Sequence, residues 1–401
     1  MAFWGAPEEV EIISSIIHEW EKSHPDIVVI LEHGDYPNYV EKILTQVAGR
    51  AGPDVIFTDI TYFYSFAAHD MFLDLTPYIA QTQPPLTARF FPEIMHQFTR
   101  EGRVYCIPRD IAPITVIYYN KKAFQQVGLP PPTDDWDWAK FLDTSRRLTM
   151  RDGDRVVRYG YYGYEWANFI FSNGGSIVDN VDHPTRCTMD SPEAREALQF
   201  YYDLIYKERV APSPATINAS GMNQAQYFGS EKTAMYLSGI WETPQLLTLK
   251  TKFDWDIVPF PRGPKGLRGT RTGGSGYAIL KTTTHPKEAW EVVKALAGPE
   301  AQTRMALTGL AQPADQTIAL GPAWAKRQDP PKNRGMLNEA VKHIIFDPNH
   351  PKWSYFQNSI INPEIELFIL GHQNLDQTVK NINVQLNTAL RKSPEAAPQT
   401  R

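Results

Sequence analysis

The chain has 401 residues, a net charge of −5, and 42% hydrophobic against 21% charged residues. That length exceeds what one hydrophobic core usually organises, so two domains are expected. The mild acidic balance without a basic stripe gives no reason to expect nucleic acid as a partner, and no run of about 18 apolar residues exists to span a membrane.

Ala2 to Trp4 reads as a short strand stopped by Gly5, and the start at Met1 shows no signal peptide. A leader removed before it would leave this start, and so would a cytosolic chain. Val10, Ile13, Ile16, Ile17 and Trp20 recur three and four apart, which makes Glu8 to His24 a helix. The apolar run Ile27 to Leu31 reads as a buried strand within Asp26 to Glu32. Tyr36 to Ala48 repeats the helical pattern, and Asp54 to Asp59 follows Gly52-Pro53 as a third strand. Strands alternating with helices predict a parallel sheet, whose ligands sit beyond the carboxyl ends of the strands.

Val104 to Tyr119 is an extended stretch interrupted by prolines. Helices are predicted over Thr133 to Leu148, from Trp166 to Ser172, and from an Asp190-Ser191-Pro192-Glu193 start to Lys207. Strands follow at Asp254 to Pro261 and Tyr277 to Leu280, then helices at Thr284 to Ala297 and Leu375 to Leu390. Ser393 to Arg401 has the composition of a disordered tail. Ten Trp, 19 Tyr and 19 Phe supply either a rich core or flat plates for a ligand with apolar faces and polar edges, as a sugar has. Cys106 and Cys187 lack metal or redox spacing and read as two buried thiols, with a single disulfide the other reading. No metal or cofactor is expected.

Phe3-Trp4-Gly5 followed by a helix and His24-Pro25-Asp26-Ile27-Val28-Val29 resembles the opening of the extracellular solute-binding proteins of bacterial ABC importers. The resemblance is closest to their sugar-binding branch, which includes maltose- and trehalose/maltose-binding proteins. It continues through Tyr119-Asn120-Lys121-Lys122-Ala123-Phe124 with Gly128-Leu129-Pro130, and through Phe228 to Met235 with Gly239 and Trp241. Gly273-Gly274 with Tyr277-Ala278-Ile279 is similar to the family's return strand. One departure is Thr58, where maltose binders carry a ligand-facing Trp, and it points away from maltose itself.

The resemblance implies an α/β fold of the periplasmic-binding-protein-like type II, two α/β lobes with a hinge of three crossovers. One lobe is expected over residues 1–109 plus 262–309, the other over 112–258 plus 314–401, with hinges near 107–113, 257–261 and 309–313. It also implies a monomer outside the cytoplasmic membrane, periplasmic or lipid-anchored. Such a protein binds a small-molecule carbohydrate and delivers it to the transmembrane subunits of an ABC permease.

Burying a sugar hydroxyl without a partner costs about 1–3 kcal/mol, so a site needs carboxylates and backbone groups beside aromatic plates. Trp4, Tyr36, Asp59, Tyr62 and Tyr64 fall at strand ends, and Asp110 in the first crossover. Trp166, Gly274, Ser275 and Trp353 are further candidates, and Trp241 resembles the family's principal stacking tryptophan. Arg109 and Arg271 would serve an anionic ligand such as glycerol phosphate or an acidic sugar, and a polyol is a neutral alternative. A glycoside hydrolase with paired carboxylates is the enzymatic alternative, yet no hydrolase or nucleotide motif is present. A sensor that presents closed lobes to a signalling partner is the third reading.

Overall fold

The computed structural model describes residues 1–5 and 7–393, so residues 394–401 of the expected tail lie outside the described residues. Two compact units emerge: Met1–Ala112 with Gly273–Arg327, and Pro113–Thr272 with Gln328–Arg401. The chain passes between them at Ala112/Pro113, Thr272/Gly273 and Arg327/Gln328. The second and third passages lie beyond the segments 257–261 and 309–313 expected as hinges. Strand pairing explains the difference. Trp255–Pro259 is laddered to Val116–Asn120 within the second unit, and Gln312–Pro313 is paired with Ile111 and Asp110 in the first.

In the first unit Ala2–Phe3 pairs in parallel with both Glu32–His33 and Val55–Asp59. Thr270–Ile279 runs antiparallel to Val55–Asp59 and lies between it and Ile107–Pro113 in the strand order. The helix Pro7–Glu21 buries Ile13, Ile16 and Ile17, as their spacing predicts. The helix Tyr36–Ala48 buries Tyr39 and Ile43. The Tyr39 hydroxyl reaches the carbonyl oxygens of Ala2 at 3.0 Å and Phe57 at 2.8 Å, tying this helix to two strands.

The expected buried strand over Ile27 to Leu31 is not there. Only Glu32–His33 forms a ladder, and Val28 and Ile30 are 81% and 76% exposed. This segment borders the edge of the sheet, and its Val29 amide is taken by the Glu21 carboxylate at 2.8 Å instead of a neighbouring strand. A continuous apolar run signals burial on both faces only where strands flank it on both sides.

The second unit is built on a three-stranded antiparallel sheet with Val116–Asn120 between Met235–Ser238 and Trp255–Pro259. The helix predicted from Thr133 starts at Trp138, because the Asp137 side chain accepts the Lys140 amide at 2.8 Å and fixes the first turn there. The helix Pro192–Tyr206 is capped by Ser191, whose hydroxyl accepts the Ala194 amide at 3.3 Å, one residue after the expected Asp190. Leu375–Lys392 closes the unit with Val379, Ile382, Leu386 and Leu390 buried. Among the described residues no helix is long and apolar enough to cross a membrane. Cys106 and Cys187 are free and buried; burial pushes the Cys106 thiol up and the Cys187 thiol to about 12. Such thiols pack as small apolar groups and are not nucleophiles near neutral pH.

Candidate functional site

In the first unit the carboxyl ends of the parallel strands gather four of the expected residues. Trp4 follows Ala2–Phe3 directly, and its ring centroid lies 4.3 Å from Phe57, 4.9 Å from Tyr39 and 5.3 Å from Tyr36. Tyr36 opens its helix and donates its hydroxyl to Asp59 Oδ2 at 2.7 Å. The other carboxylate oxygen of Asp59 accepts the Tyr62 amide at 3.1 Å and caps the helix Ile60–Ala68. The Tyr36 and Tyr62 rings stand 5.7 Å apart. Burial, then the Asp59 charge, raises the Tyr36 pKa far above the ordinary phenol value, so its proton stays in place as a donor. The cluster is therefore aromatic plates around a carboxylate. Two residues on, Tyr64 points elsewhere. It is buried, and its hydroxyl bonds Gln97.

Asp110, Ser275 and Gly274 form a second, internal set. Asp110 accepts the Ser275 amide at 3.1 Å and its hydroxyl at 2.5 Å, and also Arg109 Nε at 2.6 Å. Arg109 is ion-paired with Glu9 as well and lies 4.2 Å above the Phe57 ring. Burial opposes the Arg109 charge, but Glu9 and Asp110 outweigh it and hold the pKa above the usual arginine range. A β-carbon at Gly274 would come within 2.7 Å of the Ile94 δ-methyl and 3.2 Å of that of Ile60, so a larger residue there would have to displace the Ile94 side chain. Phe57 thus touches both sets, through Arg109 and through Trp4. Its carboxylates are engaged with the protein itself.

In the second unit Trp241 lies in the turn Ile240–Glu242 after the strand Met235–Ser238. Tyr118, fully buried on the central strand, fixes this turn: its hydroxyl meets the carbonyls of Gly239 at 3.1 Å and Ile240 at 3.2 Å, and Thr243 Oγ1 at 3.1 Å. The indole of Trp241 lies against Gly239, where any β-carbon would collide with the ring, and the residue remains 37% exposed. Next to it, burial raises the Glu242 pKa, with hydrogen bonds from Ser238 and Trp241 opposing the shift in part. Burial and then the Glu165 and Glu242 charges raise the Tyr164 pKa, which places a second ring near the same carboxylate.

Trp166 and Trp353 line a pocket of about 150 Å³ with Tyr164, Glu165, Arg271 and Asp347. Arg271 donates to Asp347 from Nε at 2.9 Å and from Nη2 at 2.8 Å, and its Nη1 stands 3.8 Å from Glu165. Burial opposes the Arg271 charge, but Asp347 and Glu165 outweigh it and raise its pKa. Burial raises that of Glu165, with Arg271 partly opposing. Both arginines considered for an anionic ligand are thus neutralised by carboxylates. No group of acidic, His and Cys side chains suited to a metal occurs among the described residues.

Tyr164, Glu165, Glu242 and Asp347 were not singled out from the sequence. The available signal was adjacency: Tyr164-Glu165-Trp166 and Trp241-Glu242 each place an acid beside a candidate plate. Asp347 had none, because its partner Arg271 is 76 positions away.

The family model described as bacterial extracellular solute-binding protein matches residues 6–303. An arabinooligosaccharide-binding protein of Halalkalibacterium halodurans is 20% identical over 397 residues, covering 97% of this chain and 79% of the relative. A maltodextrin-binding protein of Bacillus subtilis is 24% identical over 292 residues, covering 70% of this chain and 65% of the relative. Among solved structures, an ABC substrate-binding protein from Listeria monocytogenes in complex with cycloalternan superposes with a TM-score of 0.87 at 23% identity, covering 97% of this chain and 98% of that one. Maltose-bound MalE3 of T. maritima gives 0.83 at 19% identity, covering 97% and 99%. These likenesses confirm the two-lobed α/β fold of MalE-like binding proteins. With the family model spanning most of the chain, this protein belongs to the bacterial extracellular solute-binding protein family.

Proposed function

We propose that the protein captures a neutral di- or oligosaccharide outside the cytoplasmic membrane and delivers it, chemically unchanged, to the transmembrane subunits of an ABC importer. The observation that carries this reading is the ring-and-carboxylate composition of the clusters: Trp4, Tyr36 and Tyr62 around Asp59, and Trp241 with Tyr164 beside Glu242. Ring faces match the C–H faces of a sugar, and carboxylates accept its hydroxyls. The names of the oligosaccharide-binding relatives support the same class of solute. Pairing of Arg109 and Arg271 weighs against glycerol phosphate or an acidic sugar, since an anion needs a cation not already neutralised.

A thermal-shift screen followed by calorimetry tests the proposal. The panel comprises maltose, maltotriose, arabinotriose, mannobiose, cycloalternan, glycerol, glycerol phosphate and glucuronate. We expect a neutral oligosaccharide to raise the melting temperature, and mass spectrometry to recover it intact. Stabilisation by the phosphate or the uronate alone, or turnover of the sugar, would overturn the reading.

Glu242 adds a pH signature. Its carboxylate form is the stronger hydroxyl acceptor, and its raised pKa means protonation sets in at a higher pH than for an ordinary glutamate. Affinity should therefore fall as pH is lowered, and begin to fall at a higher pH than an ordinary glutamate would give, the loss being that of a charge-assisted bond. In Glu242→Gln the same titration by calorimetry should be flat. An equal slope in both proteins would remove Glu242 from the site.

A further inference from the structure

We propose that Arg262 and Arg268, at the neck of a loop in the second unit, form with His343 a binding site for a tetrahedral oxyanion, a phosphate or sulfate group. The loop turns at Gly266, whose φ of 73° suits glycine. The Gly263 amide donates to the Leu267 carbonyl at 2.9 Å and closes the neck. The two arginines lie one residue outside that bond, one on each arm. The first arm is fixed where the Arg262 amide donates to the Trp136 carbonyl and the Arg262 carbonyl accepts the Trp138 amide, both at 3.0 Å. Like charges facing each other on paired arms are destabilising, so two arginines here cost stability unless an anion joins them.

Neither arginine is ion-paired among the described residues. Arg262 gives Nη1 to the Gly266 carbonyl at 3.2 Å, and Arg268 gives Nη2 to the Asp134 carbonyl. Both contacts are with neutral oxygens, and the other Nη of each guanidinium has no protein acceptor. The lysines nearby are neutralised: Lys265, in the same loop, pairs with Glu193 at 2.7 Å, and Lys342 with Glu339 at 2.7 Å. The unbalanced charge is therefore local to the guanidiniums. Burial, then the Arg262 charge, lowers the Arg268 pKa, with Asp134 and Glu339 opposing. Burial, then Arg268, lowers that of His343; Arg262 and Lys342 add to the shift and Glu339 opposes it. The three groups thus feel one another's charge at one place. A tetrahedral dianion offsets two charges and offers several oxygens to guanidinium donors, where a carboxylate offsets one. None of these residues belongs to the ring-and-carboxylate clusters, so the site stands apart from the identity of the solute.

The test follows the imidazole ¹H–¹³C signals of His343, assigned by their absence in His343→Gln, in the full chain at fixed pH and ionic strength. Sodium phosphate and sodium sulfate should shift them saturably, and acetate at equal concentration much less. Bound anion should also raise the His343 pKa, because an opposite charge favours the protonated ring. Arg262→Gln and Arg268→Gln should each weaken the binding about tenfold or more, the effect of losing a charge-assisted contact. Sedimentation with phosphatidylglycerol vesicles, compared with phosphatidylcholine, separates two sources of the group. Pelleting of the wild type but of neither variant with the anionic vesicles makes it a lipid headgroup; phosphate binding without pelleting makes it a free anion. Shifts that do not saturate and are equal in the wild type and both variants, with no pelleting that depends on the arginines, overturn the site. Should Arg268→Gln not fold, Arg262→Gln and the wild-type titration decide.

Discussion

Replacing Trp241 by alanine should weaken carbohydrate binding at least tenfold while leaving the unliganded protein's melting temperature nearly unchanged. The turn that carries the residue is held by the Tyr118 hydroxyl and not by the indole. The indole is the most exposed of the candidate tryptophans, at 37%, so its removal leaves no cavity in the core. What is lost is a plate for a sugar face. At about 25 cal/mol per Å² of apolar surface covered, a stacked ring is worth roughly 1.5–2.5 kcal/mol, or more than a factor of ten in Kd. Trp241→Phe should recover part of that affinity because a smaller plate remains. Calorimetry giving a Kd within twofold of wild type for Trp241→Ala would exclude the residue from the site.

Asp110→Ala should act in the opposite way, costing about 3–5 kcal/mol of stability, the usual effect of removing one partner from a buried ion pair. Three donors lose their acceptor at once: the Ser275 amide and hydroxyl and Arg109 Nε. The guanidinium then keeps only Glu9 as a counter-charge in a buried setting. Urea denaturation measures the loss directly. A change below about 1 kcal/mol, the range of an exposed pair, combined with collapse of sugar affinity would instead make Asp110 a ligand-binding group.

Local spacing foretold those elements whose environment is set nearby. The helix Tyr36–Ala48 appears over the residues its apolar repeat marks, and strand ends bring Trp4, Tyr36, Asp59 and Tyr62 together. Reading failed where the deciding partner is remote. Ile27 to Leu31 has the composition of an interior strand, but only its position in the sheet determines that it lies at the edge. Tyr62 and Tyr64 are indistinguishable as sequence candidates. Their positions around the helix Ile60–Ala68 send one toward Tyr36 and the other to Gln97. Asp110 in the first crossover could be read as a hydroxyl acceptor or as a partner of Arg109; its bonds to Ser275 left no mark because that residue is 165 positions away. Glu242 and Glu165 were legible only as neighbours of tryptophans, because burial, which alters their chemistry, leaves no mark in local sequence.

The placement of Thr270–Ile279 between Ile107–Pro113 and Val55–Asp59 sets a timetable for synthesis. When the ribosome has made the first 112 residues, the sheet of the first unit still lacks the strand that joins its two halves. About 160 residues of the other unit come next. At ordinary elongation rates of about 5–20 residues per second, that is a delay of roughly 8–30 s. Throughout it the nascent N-terminal segment has no complete core to collapse onto, which keeps it pliable and accessible to chaperones.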